Sequence, residues 1–167
     1  MEIVSLPKSN NINTSVFAQI FNNTVATYKY YWFVSILDNV VKKQRRQISF
    51  WEIIAGMVAE AWYPIHYFRL SFGKADSFYS QIIEIQKELN IPIDAKKENI
   101  KKIILESIHL PKIKHVLNVF KLNVPYRFLS PWIQYSTDRQ VSFFSQSYTN
   151  NCLYAIKADI IEINPNW

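Results

Sequence analysis

Apolar residues recur at helical spacing through most of the chain, and the pattern changes only near its end. Over residues 24–41, Tyr28, Trp32, Ile36 and Val40 fall on one stripe, with Phe33, Leu37 and Val41 beside it, which predicts a helix. Only Lys29, Ser35, Asp38 and Asn39 interrupt its apolar surface, so it is expected to be central and buried on most sides. Asn23 or Thr24 can cap its first turn. Ser49 and Glu52 then form a capping box, in which each side chain satisfies the other's backbone N–H. The helix they open is expected to run to Trp62, with Ile54, Val58 and Trp62 on one stripe and Ile53, Met57 and Ala61 on the next. Pro64 is expected to end it or to start a second short helix. The same spacing marks helices over 77–89 (Phe78, Ile82, Ile85, Leu89) and over 96–108. In the latter, Ile100, Ile104 and Ile108 point inward and Lys97, Lys101 and Lys102 outward. A further helix follows Pro111, with Ile113, Leu117 and Phe120 on its face.

Beyond that helix the periodicity is lost. Pro125 and Pro131 bracket an irregular aromatic segment. Residues 139–145, 153–157 and 160–163 look like short strands, the last two joined by a tight turn at Lys157, Ala158 and Asp159. The expected architecture is mainly α, a helical bundle of about five to six helices with a small C-terminal antiparallel β-sheet or hairpin. Residues 1–15, with Pro7, Asn10, Asn11 and Asn13, are expected to form a flexible arm. Residues 16–167 are expected to form a single helical domain ending in a β-hairpin at 138–163.

A length of 167 residues fits one domain, and 49% hydrophobic residues supply a core and exclude disorder as the default. One cysteine excludes a disulfide framework and a cysteine-rich zinc site, which fits a reducing compartment. The first residues lack the apolar run of a signal peptide, and no stretch approaches the ~20 apolar residues of a membrane span. A cytoplasmic chain with no membrane partner is the expectation.

Catalytic chemistry is sparse. His66, His109 and His115 are scattered, Cys152 stands alone, and Gly56 and Gly73 cannot build a phosphate-cradling loop. Asp76 and Asp94, with Lys96, have the residue types of a metal-dependent nuclease site, but both aspartates sit where helix caps are expected. Glu52 and Glu60 lie two turns apart, too far for paired acid–base work. His66 has the setting of a half-buried packing residue. No catalytic residue, cofactor or metal ligand is expected within this chain.

The formal charge of +6 changes the picture, because it points to a polyanion, most simply DNA. Lys42, Lys43, Arg45 and Arg46 place four cations in five residues with no acid among them. In an interhelix position they can contact phosphates without reading bases. Residues 107–137 carry Lys112, Lys114, Lys121 and Arg127 and no acidic residue, and Lys114, Asn118 and Lys121 share one side of the helix after Pro111. Tyr126, Phe128 and Trp132, next to Arg127, are candidates to stack on unpaired bases. A solvated loop and an ordinary amphipathic helix with lysines in water are the plain alternatives.

Four segments together carry a family resemblance. They are Asn23-Thr24-Val25-Ala26-Thr27-Tyr28-Lys29-Tyr30-Tyr31-Trp32-Phe33 with Ser35-Ile36-Leu37, Ile48-Ser49-Phe50 through Ala61-Trp62-Tyr63-Pro64 and Tyr67-Phe68-Arg69-Leu70-Ser71-Phe72-Gly73, Val124-Pro125-Tyr126-Arg127-Phe128-Leu129-Ser130-Pro131-Trp132, and Ile163-Asn164-Pro165-Asn166-Trp167. The set resembles the N-terminal region of bacterial proteins that carry an HNH endonuclease domain further on. The resemblance implies a non-catalytic domain that binds or positions DNA and packs against its own C-terminal nuclease domain. A divalent metal is implied only there, because an HNH site needs a ββα unit with histidines that this chain lacks. Asn164 and Pro165 read as a helix start, so the chain is expected to be a fragment or truncated product whose nuclease unit lies beyond Trp167. The alternative is a protein-interaction or structural domain packing against that missing half. An apolar patch near Trp167 and the terminal sheet is its expected mark.

Overall fold

A computed structural model of the chain describes residues 13–21, 27–70, 77–134, 137–147 and 151–167. Within them seven α-helices and three strands follow in order: α1 (Thr14–Ala18), α2 (Tyr28–Leu37), β1 (Gln47–Ser49), α3 (Phe50–His66), α4 (Phe78–Leu89), α5 (Lys97–Ser107), α6 (Pro111–Phe128), α7 (Asp138–Gln146), β2 (Tyr154–Lys157) and β3 (Ile160–Ile163). A 3₁₀ turn, Gln19–Phe21, follows α1, and a π-helical turn, Asp38–Lys42, continues α2. No described helix is long and apolar enough to cross a membrane.

The central helix is α3, not α2. Its capping box is formed as the sequence dictates: Ser49 Oγ accepts from the Glu52 N–H at 3.1 Å and Glu52 Oε2 accepts from the Ser49 N–H at 3.2 Å. From Ile53 to Ala59 every residue is buried. Helices α2 and α5 pack along it, and α6 and α4 close the other side. Helix α2 buries only Trp32, Ser35 and Ile36 and leaves Tyr30, Val34 and Leu37 exposed, as is Val41 in the π-helical turn that follows. The expectation of a helix buried on most sides fails there, because apolar residues all round a helix do not say how many neighbours it finds. The proposed caps Asn23 and Thr24 lie outside the described residues, as do residues 1–12 of the expected arm. Thr14 and Ser15 of that arm belong to α1, capped by Asn13, whose Oδ1 accepts from the Ser15 and Val16 N–H groups.

Among the described residues, two prolines sit within helices beyond the first turn. Pro64 lies in the last turn of α3 and Pro125 in the last turn of α6. A proline there removes one hydrogen bond. Burial of Ile65 beside Pro64, and of Val124 and Phe128 around Pro125, outweighs that loss. The aromatic segment from Pro125 is thus helical at its start, not irregular.

Residues 139–145 are helical, not a strand, so the terminal hairpin begins at Tyr154 instead of 138. Thr137 Oγ1 accepts from the Gln140 N–H at 3.3 Å and caps α7. The inward residues are Val141 and Ser145, one turn apart, while Phe143 is 70% exposed. A strand would put Val141 and Phe143 on one face, but only Val141 is inside. Ser145 Oγ accepts from the Ile156 N–H at 2.9 Å and ties α7 to β2.

The sheet has the order β1-β3-β2, antiparallel throughout, with Ile48 opposite Ile161 and Ile156 opposite Ile161 on the other side. The C-terminal hairpin is present as expected, its turn passing through Ala158 at φ 52°. Strand β1 was not foreseen. It runs directly into α3, so the hairpin is pinned to the start of the central helix, where the Phe50 N–H donates to the Asp159 carbonyl at 2.8 Å. Trp32 Nε1 donates to Tyr154 Oη at 3.1 Å, and that hydroxyl donates to the Pro125 carbonyl at 2.7 Å, which joins α2, β2 and α6 in the core.

Candidate nucleic-acid interface

The basic run is shaped by the π-helical turn and the strand that follows it. Gln44 adopts a left-handed conformation at φ 52°, and the Arg45 N–H donates back to the Asn39 carbonyl at 3.1 Å. This folds Lys42, Lys43, Arg45 and Arg46 into a short loop ahead of β1. Lys42 is exposed and pairs with Asp38 at 2.8 Å, one turn back. Arg45 is clamped: both of its terminal nitrogens bond Glu52, Nη2 to Oε2 at 3.1 Å, and Nη2 also donates to the Gln47 carbonyl at 3.3 Å. The Arg45 guanidinium, more than burial, sets the balance on Glu52 and holds its carboxyl below the usual range. Lys43 and Arg46 are exposed and make no ion pair with a described residue.

The second basic segment lies on α6. Lys112, in its first turn, pairs with Glu88 of α4. Lys114 is exposed with no ion pair to a described residue, Asn118 is half-buried, and Lys121 pairs with Asp159 at 2.6 Å. Lys121 Nζ also stands 5.0 Å from the centroid of the Trp51 ring. Arg127, near the end of the helix, donates to Tyr28 Oη at 3.4 Å. The two segments therefore meet on the first turn of α3. Arg45 holds Glu52 and Lys121 covers Trp51, its neighbour in sequence. Lys112 and Arg127 lie toward opposite ends of α6, about 22 Å apart at 1.5 Å per residue.

The aromatic candidates separate. Phe128 is fully buried and stacks on Tyr154 at 5.9 Å, so it is a core residue. Trp132 is half-buried between Phe17 and Trp167. Tyr126 is half-buried, and burial pushes its phenol up. His66 packs on the Trp62 ring at 4.4 Å, and burial lowers its pKa, as a packing histidine requires. Lys96 is the N-cap residue of α5, so Asp94 lies in the turn before it and does not cap; Asp76 lies outside the described residues.

Sequence reasoning missed a polar hub beneath the basic run. Lys101 does not point to solvent. Its side chain is 11% exposed and bonds Asp38 at 2.9 Å, and Asp38 is 10% exposed. The bonds from Lys42 and Lys101 outweigh burial and hold the Asp38 carboxyl at about 2. Burial pulls Lys101 down, but Asp38 and Glu98 leave its pKa raised overall. One turn of α2 away, Ser35 packs directly on Gly56 of α3. The signal was present in Ser35, Asp38 and Asn39, the polar residues of an otherwise apolar helix. Matched against family models, curated proteins and solved structures, the chain has no counterpart among any of them.

Proposed function

We propose that this chain is a non-catalytic domain that binds or positions DNA, of the kind that precedes an HNH-type nuclease unit. The observation that supports it is the meeting of the basic run and α6 on the first turn of α3. There Lys43 and Arg46, with Lys114 two turns along α6 from Lys121, stay exposed and without ion pairs to described residues. Loop cations beside a helix carrying Lys114 and Asn118 suit contact with a phosphate backbone, which positions a duplex without specifying sequence. With Arg127, which bonds only the neutral Tyr28 hydroxyl, four candidate cations have no ion pair to a described residue and give a salt slope of about −3.6 in log K against log[salt] on duplex DNA. Cations that leave Asp38, Glu52, Glu88 or Asp159 for phosphates would steepen it. A gel-shift titration at two salt concentrations tests the proposal, and Lys43→Ala with Arg46→Ala should reduce the slope by about 2. Absence of binding to any DNA at low salt ends it.

A second reading has its own observation. Tyr30, Val34, Leu37 and Val41 are exposed at intervals of four, three and four residues, an apolar stripe along α2 and into the π-helical turn after it. Trp167, by contrast, is packed on Phe17 and donates to the Asn151 carbonyl at 2.9 Å. A protein-interaction role would use α2 rather than the terminal sheet. Val34→Glu would then abolish association with the partner polypeptide and leave DNA binding unchanged.

A further inference from the structure

Helix α3 ends with three aromatic rings in the open. Tyr63, Tyr67 and Phe68 are each more than half exposed. Tyr63 and Tyr67, one turn apart, stack with centroids 4.7 Å apart and planes 10° from parallel. Phe68 stands edge-on to both, at 5.4 Å and 5.2 Å. Large rings usually supply core, so three together in water mark a surface that binds. Their backbone is fixed: Arg69 takes a left-handed conformation at φ 52°, and the Leu70 N–H donates to the Pro64 carbonyl at 3.1 Å, which closes the helix. Left-handed backbone at a residue other than glycine is strained, and such strain collects at ligand clamps. Tyr67 stays 64% exposed although one face lies on Tyr63, so its other face is open to a flat partner.

The charge beside the rings is positive. Glu52, Glu60, Tyr63 and Tyr67 fall on one stripe of α3, and both acids are already paired, Glu52 with Arg45 and Glu60 with Lys97 of α5. Arg69, next to Phe68, and Lys96, next to Lys97, are exposed and make no ion pair with a described residue. With exposed Asp94 counted against them, the balance stays positive. Tyr63 lies about three turns along the stripe from Glu52, about 17 Å at 1.5 Å per residue. The basic run, held there through Arg45, and the rings thus occupy the two ends of one stripe. Unpaired cations beside open rings favour a nucleic acid over a proline-rich peptide, which aromatic grooves take without charge.

We propose that Tyr63, Tyr67 and Phe68 form a stacking platform for an unpaired base, with Arg69 on the adjoining phosphate. The substrate class is then a DNA duplex that carries a single-stranded end. Lys43 and Arg46 hold the duplex, and the rings hold the tail. This inference rests on the DNA-binding reading above and names the form of DNA that it takes.

Fluorescence anisotropy of the full chain at low salt tests it with three DNAs. They are a blunt duplex, the same duplex with a thymine tail of ~10 nucleotides, within the ~4–16 that a single-strand site covers, and the same tail without its bases. The abasic tail keeps the phosphates, so it separates stacking from added charge. The intact tail is expected to bind at least ~5-fold more tightly than the abasic one, the gain from one stacked base. Tyr67→Ala with Phe68→Ala should abolish that gain and leave blunt-duplex binding unchanged. Lys43→Ala with Arg46→Ala should weaken all three DNAs and keep the gain. Equal binding of the two tails by the unaltered protein, with blunt duplex still bound, overturns this inference alone and requires no variant to fold. So does a gain that survives removal of the rings, or a ring variant that loses blunt duplex as much as tail. No binding of any of the three removes the DNA-binding reading and this inference together.

Discussion

Gly56 is the residue on which the close approach of α2 to α3 at Ser35 depends, and Gly56→Ala is the sharpest test of it. A Cβ at this position would stand 2.0 Å from Ser35 Oγ and 3.0 Å from Ser35 Cβ. The first distance is about 1.5 Å short of ordinary contact. Rotation of the Ser35 hydroxyl relieves it. The second cannot be relieved by rotation, because a Cβ moves only with its backbone. Ser35 is 1% exposed and locked into the α2–α3 interface, so the helices must part. Overpacking of this kind costs about 2–3 kcal/mol. Alanine returns ~1 kcal/mol through its better helix propensity. The net loss is about 1–2 kcal/mol, or a fall in Tm of roughly 2–8 °C for a domain of this size. Urea unfolding followed by tryptophan fluorescence measures it. Ser35→Gly removes the opposing Cβ, so the double variant should recover most of the loss, with a coupling of at least ~1 kcal/mol. A stabilised Gly56→Ala variant, or energies additive within ~0.5 kcal/mol, would show that the two helices do not meet here as described.

Asp38 titrates in the folded protein at about 2, below its unfolded value near 3.9. The stability it contributes is therefore present above pH ~4 and lost as pH falls toward ~2. Asp38→Asn should flatten that part of the pH dependence, and identical urea midpoints for variant and parent at pH ~2 and pH ~6 would contradict the ion-pair hub. Tyr154→Phe strands Trp32 Nε1 and the Pro125 carbonyl in the core. It should cost about 1–3 kcal/mol, and an unchanged unfolding midpoint would refute the three-way link. Cys152 is fully buried, and burial pushes its thiol up to about 11. It should resist a disulfide reagent at pH ~8 until denaturant is added, and prompt stoichiometric reaction of the native protein would place it elsewhere.

What the sequence reveals here divides by the range of the interaction that decides it. The capping box at Ser49 and Glu52, the helix over Phe78–Leu89 and the turn at Ala158 depend on residues a few positions apart, and they were legible. Strand β1 exists only because β3, more than a hundred residues later, lies beside it. One apolar residue between two polar ones, as in Gln47, Ile48 and Ser49, is too short an alternation to mark a strand. Pro64 and Pro125 misled because a proline's local cost is fixed while the burial that repays it is tertiary. Residues 139–145 misled for a related reason, since Val141 is buried and Phe143 is not, and only the fold says which of two apolar residues counts.

The candidate site divides in the same way. Charge along the chain was readable: two cationic segments, neither containing an acid. Their counterions were not, because Glu52, Glu88 and Asp159 lie 7, 24 and 38 positions from the cations they hold. Lys101 is the clearest case. Helical spacing puts it with Lys97 and Lys102, yet its partner Asp38 lies 63 positions away in a π-helical turn that no local pattern announces. A cluster of like charges in sequence sets only an upper limit on the cations a polyanion can recruit at no cost. The fold pairs Lys42, Arg45, Lys112 and Lys121 with its own carboxylates, which leaves Lys43, Arg46, Lys114 and Arg127 as the candidate cations that a polyanion would recruit without breaking an ion pair to a described residue.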